Sequence, residues 1–524
     1  MKKTIRILSL ALALSMLLAA CGGSSSSSAP AASGSSAASG EAAPVKDSVT
    51  IRTVSECKTF DPYATTDLVD WQVHYQIFDS LFYETPEGTY EPSLCTDYTL
   101  NEDGTQITFT IREGVKFHNG DTMTVDDVVF SLNTAIASSY TSKFTSVLEN
   151  AEKIDDKTFV LNLKHAYVPI IGCLSSSSTS IVPQKVYEAD PAAFAQNPVG
   201  TGAYMLKEVK SGETATLEAF PDYFRGEAPI KTQIFRAIVD NNAALMALES
   251  GEADVITPNQ DYSDRDAIIA NPNLVYYEAP QACTFLVSFN NAKGVFADKR
   301  MREAVALAID KEELVLGAVN GMAEPTEEGI TPLCPQAPKN FSGLGYDPER
   351  AKQLVVEAGY PDGVEVTMRV ISSPHYIRPA EVLQAQLKKV GINLKIEAME
   401  RASWFDIVFA NGDFETTFYA HAVSVADADF CTYPFLHSSE ADGNGSNYMG
   451  VKNAELDEYL EKARLSLDEA ERAKYYLKVC EIIRDESIYV PCFTGKRTIA
   501  AVKELKGIQA DPMQRYYAYN YSWE

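Results

Sequence analysis

The sequence contains no Cys-x-x-Cys pair, no His-Glu-x-x-His, no Gly-x-x-x-x-Gly-Lys-Ser/Thr and no Gly-x-Ser-x-Gly. These absences remove support for zinc ribbons and thiol redox chemistry, zincin proteolysis, P-loop nucleotide hydrolysis and a nucleophile elbow. The six histidines, His74, His118, His165, His375, His421 and His437, show no metal-ligand spacing. No repeat of 20 to 50 residues stands out, which argues against a solenoid or propeller. The short pair Gly200-Thr201-Gly202 reads as a tight turn needing glycine's backbone freedom, in preference to a phosphate loop. Beyond the N-terminus no apolar run is long enough to span a bilayer, which takes about 20 residues. Cations are outnumbered, 45 against 72 acids, for a net charge of −27. Such a body argues against nucleic acid and anionic lipid surfaces as partners.

The first segment is of a different kind. Lys2, Lys3 and Arg6 precede an apolar run from Ile7 to Leu18, and Leu18-Ala19-Ala20-Cys21 follows. A basic head, a short apolar core and small residues at a cut site make a secretory signal over residues 1–20. Leu-Ala-Ala-Cys resembles a bacterial lipobox, which implies lipid on the Cys21 sulfur and cleavage before it. Cleavage removes three cations and no acid, leaving a mature charge of −30. Residues 22–44 are almost entirely Gly, Ser, Ala and Pro and cannot bury a core, so residues 21–44 read as a lipidated cysteine with a flexible tether. Eight cysteines remain for an exported chain, in which disulfides can form. Cys480 and Cys492, close in sequence, are the pair to test first.

The body alternates strand and helix signals. Ile107, Phe109 and Ile111 alternate with Gln106, Thr108 and Thr110, the pattern of a half-buried strand. Asn119-Gly120 marks a turn, and Thr124 with Asp127 can cap a helix entering Val128-Val129-Phe130. Asp347-Pro348-Glu349 reads as a helix start, with Ala351, Leu354, Val355 and Ala358 on one face and Gly359 at the stop. Asp310 and Glu313 form a similar start after the amphipathic run Arg302 to Ile309. Val382 to Val390 predicts a helix, Gly391 its end, and Ile392, Leu394 and Ile396 a strand. This interleaving predicts α/β architecture with buried sheets, and the length calls for two or three packed domains.

Four separated segments together resemble the oligopeptide/dipeptide/nickel solute-binding proteins of bacterial ABC importers, known as family 5. Lys58-Thr59-Phe60-Asp61-Pro62 is similar to that family's early TLDP segment. Asn101-Glu102-Asp103-Gly104, then Ile111-Arg112-Glu113-Gly114-Val115-Lys116-Phe117-His118-Asn119-Gly120, resembles its LRxGVKFHDG stretch, with Asp126 to Ser131 like the helix beyond. Asn197-Pro198-Val199-Gly200-Thr201-Gly202-Ala203-Tyr204 is close to PVGTGPY, and Pro221-Asp222-Tyr223 to NPDYW. Lys299 to Ala304 and Ala308 to Lys311 are close to VRQAxxxAIDR. The order is the family's, across nearly the whole mature chain.

The resemblance implies a two-lobed periplasmic-binding-protein type II fold with an extra smaller domain on lobe one. Lobe one would comprise residues 45–80, 200–280 and 495–524, the extra domain 81–199, and lobe two 283–494. It implies no enzymatic activity and no cofactor or resident metal. The expected function is capture of a solute outside the cell membrane, with a peptide the commonest class, and delivery to an importer permease and its ATPase. The protein would work as a monomer held to the membrane by its lipid. A nickel or other metal chelate, or another small organic solute, is the alternative. A sensory receptor and an extracellular hydrolase are more remote.

By position, the family's ligand contacts fall on the early loop Glu56, Cys57 and Lys58, on Tyr63 and Trp404, and on the stretch from Trp404 to Phe430. There the chain departs from the pattern. His421 stands where the family has a tryptophan, and Ser424, next to Val423, where an aspartate meets a peptide's α-ammonium. Asp427 or Asp429 is near enough in sequence to replace that carboxylate. The histidine of nickel-binding members falls at Asp429. His421 is open to three readings: ligand contact, chelate ligand or packed core residue. Arg378, near a helix start, is open to two: a carboxylate receptor or a surface cation.

Overall fold

The computed structural model describes residues 46–85, 88–258, 262–441 and 445–524. The signal segment, Cys21 and the tether lie outside the described residues.

Strand Ser48–Thr53 runs parallel to Thr232–Ala237, and the sheet continues antiparallel through Thr214–Ala219 to Tyr204–Lys210. Val49 and Ile51 are fully buried, and Leu217 and Phe235 join them in one core. A second group of strands centres on Cys283–Phe289, flanked by Thr416–Ala422 and by Tyr489–Val502. Val364–Ile371 lies parallel to both Thr416–Ala422 and Ile392–Met399. Its core holds Val366, Met368, Phe418 and Leu383.

The fourteen-residue strand Tyr489–Val502 belongs to both groups. Its first half pairs with Cys283–Phe289 and Ala323–Pro325, its second half with Leu274–Pro280 and Val255–Ile256. The chain makes the same passage a second time, from Leu274–Pro280 through Gln281 and Ala282 into Cys283–Phe289. Two extended crossings side by side join two α/β lobes.

A separate antiparallel sheet of Cys95–Leu100, Gln106–Ile111, Thr158–Leu163 and Leu148–Lys153 forms the extra domain. Its strand Gln106–Ile111 buries Ile107, Phe109 and Ile111, and Phe109 stacks on Phe159 at 5.2 Å. Helix Val125–Ala137 starts at the expected capping box. Thr124 Oγ1 accepts from the Asp127 amide, and Asp127 accepts from the Thr124 amide at 2.9 Å. Such a cap contributes about 1 kcal/mol. Asp310 and Asp347 cap helices Lys311–Val319 and Pro348–Glu357 by accepting from the Glu313 and Arg350 amides, without the reciprocal bond.

Three expectations change. The helix read over residues 382–390 spans Pro374–Lys388. Pro379 lies inside it and leaves one helical hydrogen bond unmade. Gly200 and Gly202 do not have left-handed backbone. A Cβ on either would strike the Ile77 carbonyl, and the Gly202 amide donates to that oxygen at 2.9 Å. These glycines permit close approach to helix Leu68–Ile77. Cys480 and Cys492 are both free thiols in different cores, with Cys480 beside Cys431.

Candidate ligand cleft

The extra domain and lobe two share one buried apolar cluster, running from Phe109 and Ile170 to Val425, Phe430 and Tyr489. The contact is made by the segment after strand Thr416–Ala422. Ser424 Oγ accepts from Lys143 Nζ at 2.6 Å, the Ala426 amide donates to Tyr90 Oη at 3.3 Å, and Phe430 packs on Phe144 at 6.2 Å. The Val423 amide donates to Ala282 O at 2.9 Å, tying the segment to a crossing strand. With this segment in place, the space between the lobes is a cavity of about 620 Å³. That lies within the 300–1,000 Å³ range of ligand pockets.

Each wall has a structural origin. Helix Leu68–Ile77, capped by Asp67, presents Trp71 and Tyr75, one turn apart, together with Gln72. Gln72 Nε2 donates to Gln514 O at 2.9 Å, fixing the C-terminal segment against the helix. Lobe two contributes Tyr376 and Tyr419, whose rings stack 6.1 Å apart. The crossings supply Gln281, Cys283 and Arg497. A second chamber of about 340 Å³ shares Leu68, Gln72, His375, Arg497 and Gln514 with the first.

The sequence-predicted positions divide. Val423 and Ser424 line the cavity. Trp404 is fully buried behind it: its ring stacks on Tyr419 at 4.5 Å, and its Nε1 donates to Arg369 O and Thr417 Oγ1, both at 3.3 Å. It sets the plane of a lining residue without being one. The early loop turns onto its own neighbours. Glu56 accepts from the Gly212 amide at 2.6 Å, and the Lys58 ammonium meets Asp67 at 2.6 Å. Cys57 is a half-buried thiol with its pKa raised by burial and by Asp70. Tyr63 donates to Ser180 O at 2.6 Å inside the lobe-one core. Arg378 lies on helix Pro374–Lys388 and is absent from the lining of both chambers.

His421 is fully buried, stacked on Phe435 at 3.9 Å, with its Nε2 3.2 Å from Tyr448 Oη. Burial pushes its pKa down to about 3, so it is a neutral core group. Asp427 and Asp429 are both taken. Asp427 accepts two bonds from Arg472, at 2.7 and 2.8 Å, and Asp429 two from Arg464, at 2.9 and 2.8 Å. Neither faces the cavity, so neither replaces the carboxylate missing at Ser424.

Sequence reasoning missed Trp71, Tyr75, Tyr376, Tyr419 and Arg497. One of them left a signal. Arg497 is a cation within an almost continuously buried strand, and such a residue calls for an explanation.

Two α/β lobes on paired crossings, enclosing a ligand-sized cavity, define a binding protein of the periplasmic type. Residues 89–443 match the family model "Bacterial extracellular solute-binding proteins, family 5 Middle", and the chain belongs to that family. Its members are extracytoplasmic substrate-binding proteins that serve an ABC importer permease and ATPase; they are not enzymes. The chain is 28% identical over 486 residues to the glutathione-binding protein GsiB of Salmonella typhi, covering 91% of this chain and 94% of that one. Its structure resembles the periplasmic binding protein DppA of Helicobacter pylori in complex with the peptide STSA. The TM-score is 0.78 at 25% identity, over 92% and 98% of the two chains. NikZ of Campylobacter jejuni, solved with Ni(L-His), shares the fold with a TM-score of 0.77 at 22% identity, over 91% and 99%. No described helix is long and apolar enough to cross a membrane.

Proposed function

We propose that this protein captures a short peptide between its lobes and presents it to an importer, as a monomer anchored through lipid on Cys21. The observation that carries this reading is the cavity of about 620 Å³ walled by both lobes and the extra domain. Its aromatic faces, Trp71, Tyr75, Tyr376 and Tyr419, suit side chains of varied shape. Its polar rim of Gln281, Ser372 and Gln514 suits a peptide backbone. Relatives that bind glutathione and STSA support the class. We assign lobe one to residues 45–80, 200–280 and 495–524, the extra domain to 81–199 and lobe two to 283–494. The partition of strands about the crossings supports this division.

Thermal-shift screening against di- to pentapeptides, glutathione and nickel–histidine tests the ligand class. At 100-fold excess over Kd a true ligand stabilises the protein by about 2.7 kcal/mol. Silence from every peptide with a shift from nickel–histidine would replace the peptide by a chelate. For the anchor, Cys21→Ala is expected to move the protein out of the membrane fraction. Unchanged membrane retention would refute lipidation at that residue.

A further inference from the structure

Arg497 sits where the two chambers meet, on the strand that joins the lobes, opposite Ala279. Its side chain is more than nine-tenths buried, with a residue exposure of 8%. Its Nε is buried with no hydrogen-bond partner, and among the described residues it forms no ion pair. The carboxylate it senses most, Asp511, is already engaged by Arg515 Nε and Nη2, Tyr517 Oη and the amides of Met513 and Arg515. A guanidinium taken out of water is costly unless an anion meets it.

A guanidinium only donates. What satisfies it is an acceptor, and a carboxylate offers two oxygens in a plane that suits the guanidinium fork.

The rest of the lining has the same sign. Arg52, Arg401, Arg497 and Arg515 contribute to the two chambers, against one described carboxylate, Glu400, which is solvent-exposed. Arg515 is neutralised by Glu84 and Asp511. Arg52 is satisfied by the carbonyls of Ile238, Val239 and Thr257 and the Asn241 amide oxygen, so its charge persists. A protein of net charge −27 thus has a cleft biased towards anions.

We infer that the cleft holds its ligand by a carboxylate seated on Arg497, so that the captured solute is a carboxylate-bearing molecule. This rests on the peptide reading for the particular ligand but not for the subsite.

The test uses the full chain in detergent, with isothermal titration against trialanine, its C-terminal amide, glutathione and citrate. Loss of a hydrogen bond to a charged group lowers affinity roughly 10- to 150-fold. That loss is expected when trialanine is amidated, and again for free acids on Arg497→Gln, where acid and amide should bind alike. Arg497→Lys keeps the charge, loses the fork and should recover part of the affinity. Circular dichroism and the ligand-free melting temperature establish that each variant folds. If peptides bind and amidation costs nothing, or Arg497→Gln still discriminates, the subsite is wrong and the peptide reading stands. If citrate binds in an Arg497-dependent way and no peptide does, the peptide reading is wrong and the subsite stands. If neither acids nor peptides bind the folded wild type, both are wrong.

Discussion

Replacing Arg472 by methionine removes the cation from the best-buried ion pair of lobe two. Arg472 has zero exposure and donates to both oxygens of Asp427 at 2.7 and 2.8 Å. Its Nε also donates to Ala463 O at 3.0 Å. Breaking such a pair costs about 3–5 kcal/mol, because the surviving charge stays buried without its partner. Here the survivor retains two donors, the Asp429 amide at 2.9 Å and Gln336 Nε2 at 3.2 Å. That places the expected loss near the lower end, at about 3 kcal/mol. The bond from Arg472 to Glu469 adds little, since that carboxylate is 54% exposed.

A cycle separates the pair from its parts. Asp427→Leu strands the arginine and should cost about as much as Arg472→Met. The double variant should regain most of the loss, because two apolar groups in that space carry no unpaired charge. Urea unfolding reads this as a lower midpoint with an unchanged slope. A loss below about 1 kcal/mol for Arg472→Met, or a double variant as weak as the singles, would refute the reasoning. The same variants address ligand contact: if Asp427 acts only through Arg472, peptide affinity per folded molecule stays unchanged.

Two further predictions are local. His421 is neutral when folded because burial holds its pKa at about 3, against about 6.5 when unfolded. Its contribution is complete above pH 6.5. As pH falls below that value the unfolded chain takes up a proton that the folded chain does not. Stability therefore falls by up to about 1.4 kcal/mol per pH unit until pH nears the folded pKa. His421→Phe preserves the stack on Phe435 and should flatten the slope of unfolding free energy between pH 4 and 6 by about that amount; an unchanged slope refutes it. Gly200→Ala drives a methyl into the Ile77 carbonyl and should cost about 1–3 kcal/mol in urea unfolding. Equal stability would show that helix Leu68–Ile77 yields more easily than its packing implies.

Local structure was legible where a few neighbouring residues decide it. Thr124 with Asp127, Asp310 and Asp347 each satisfy an amide within three residues, and each appears as read. The order of short family segments carried the two-lobed architecture, since each segment is tied to its own place in it. The cleft was harder, because its lining is decided by contacts between distant parts of the chain. Asp427 and Asp429 looked available until Arg472 and Arg464, 45 and 35 positions on, are seen to occupy them. Trp404 was read as a cleft residue, but it lies behind Tyr419, a modest residue in sequence that lines the cavity in its place. Gly200 and Gly202 were read as backbone freedom, a property of the residue alone; what they provide is room for a helix folded against them.

Arg497 bears on closure as well as on recognition. In an open cleft water would hydrate its guanidinium. In this structure its side chain is buried, and among the described residues it forms no ion pair. Closing without a ligand therefore carries a desolvation cost, whereas closing around a carboxylate replaces the lost water with two charge-assisted bonds. A ligand shifts an equilibrium only by its differential affinity for the two states, and this residue creates such a difference. The same physical feature would keep the empty protein open and let the closed surface, the one an importer must distinguish, report an occupied cleft. On that argument Arg497→Gln lowers affinity for acids while raising the closed fraction of the empty protein. Small-angle scattering without ligand should show a smaller radius of gyration for the variant than for the wild type, and an equal or larger radius would sink the link between this cation and closure.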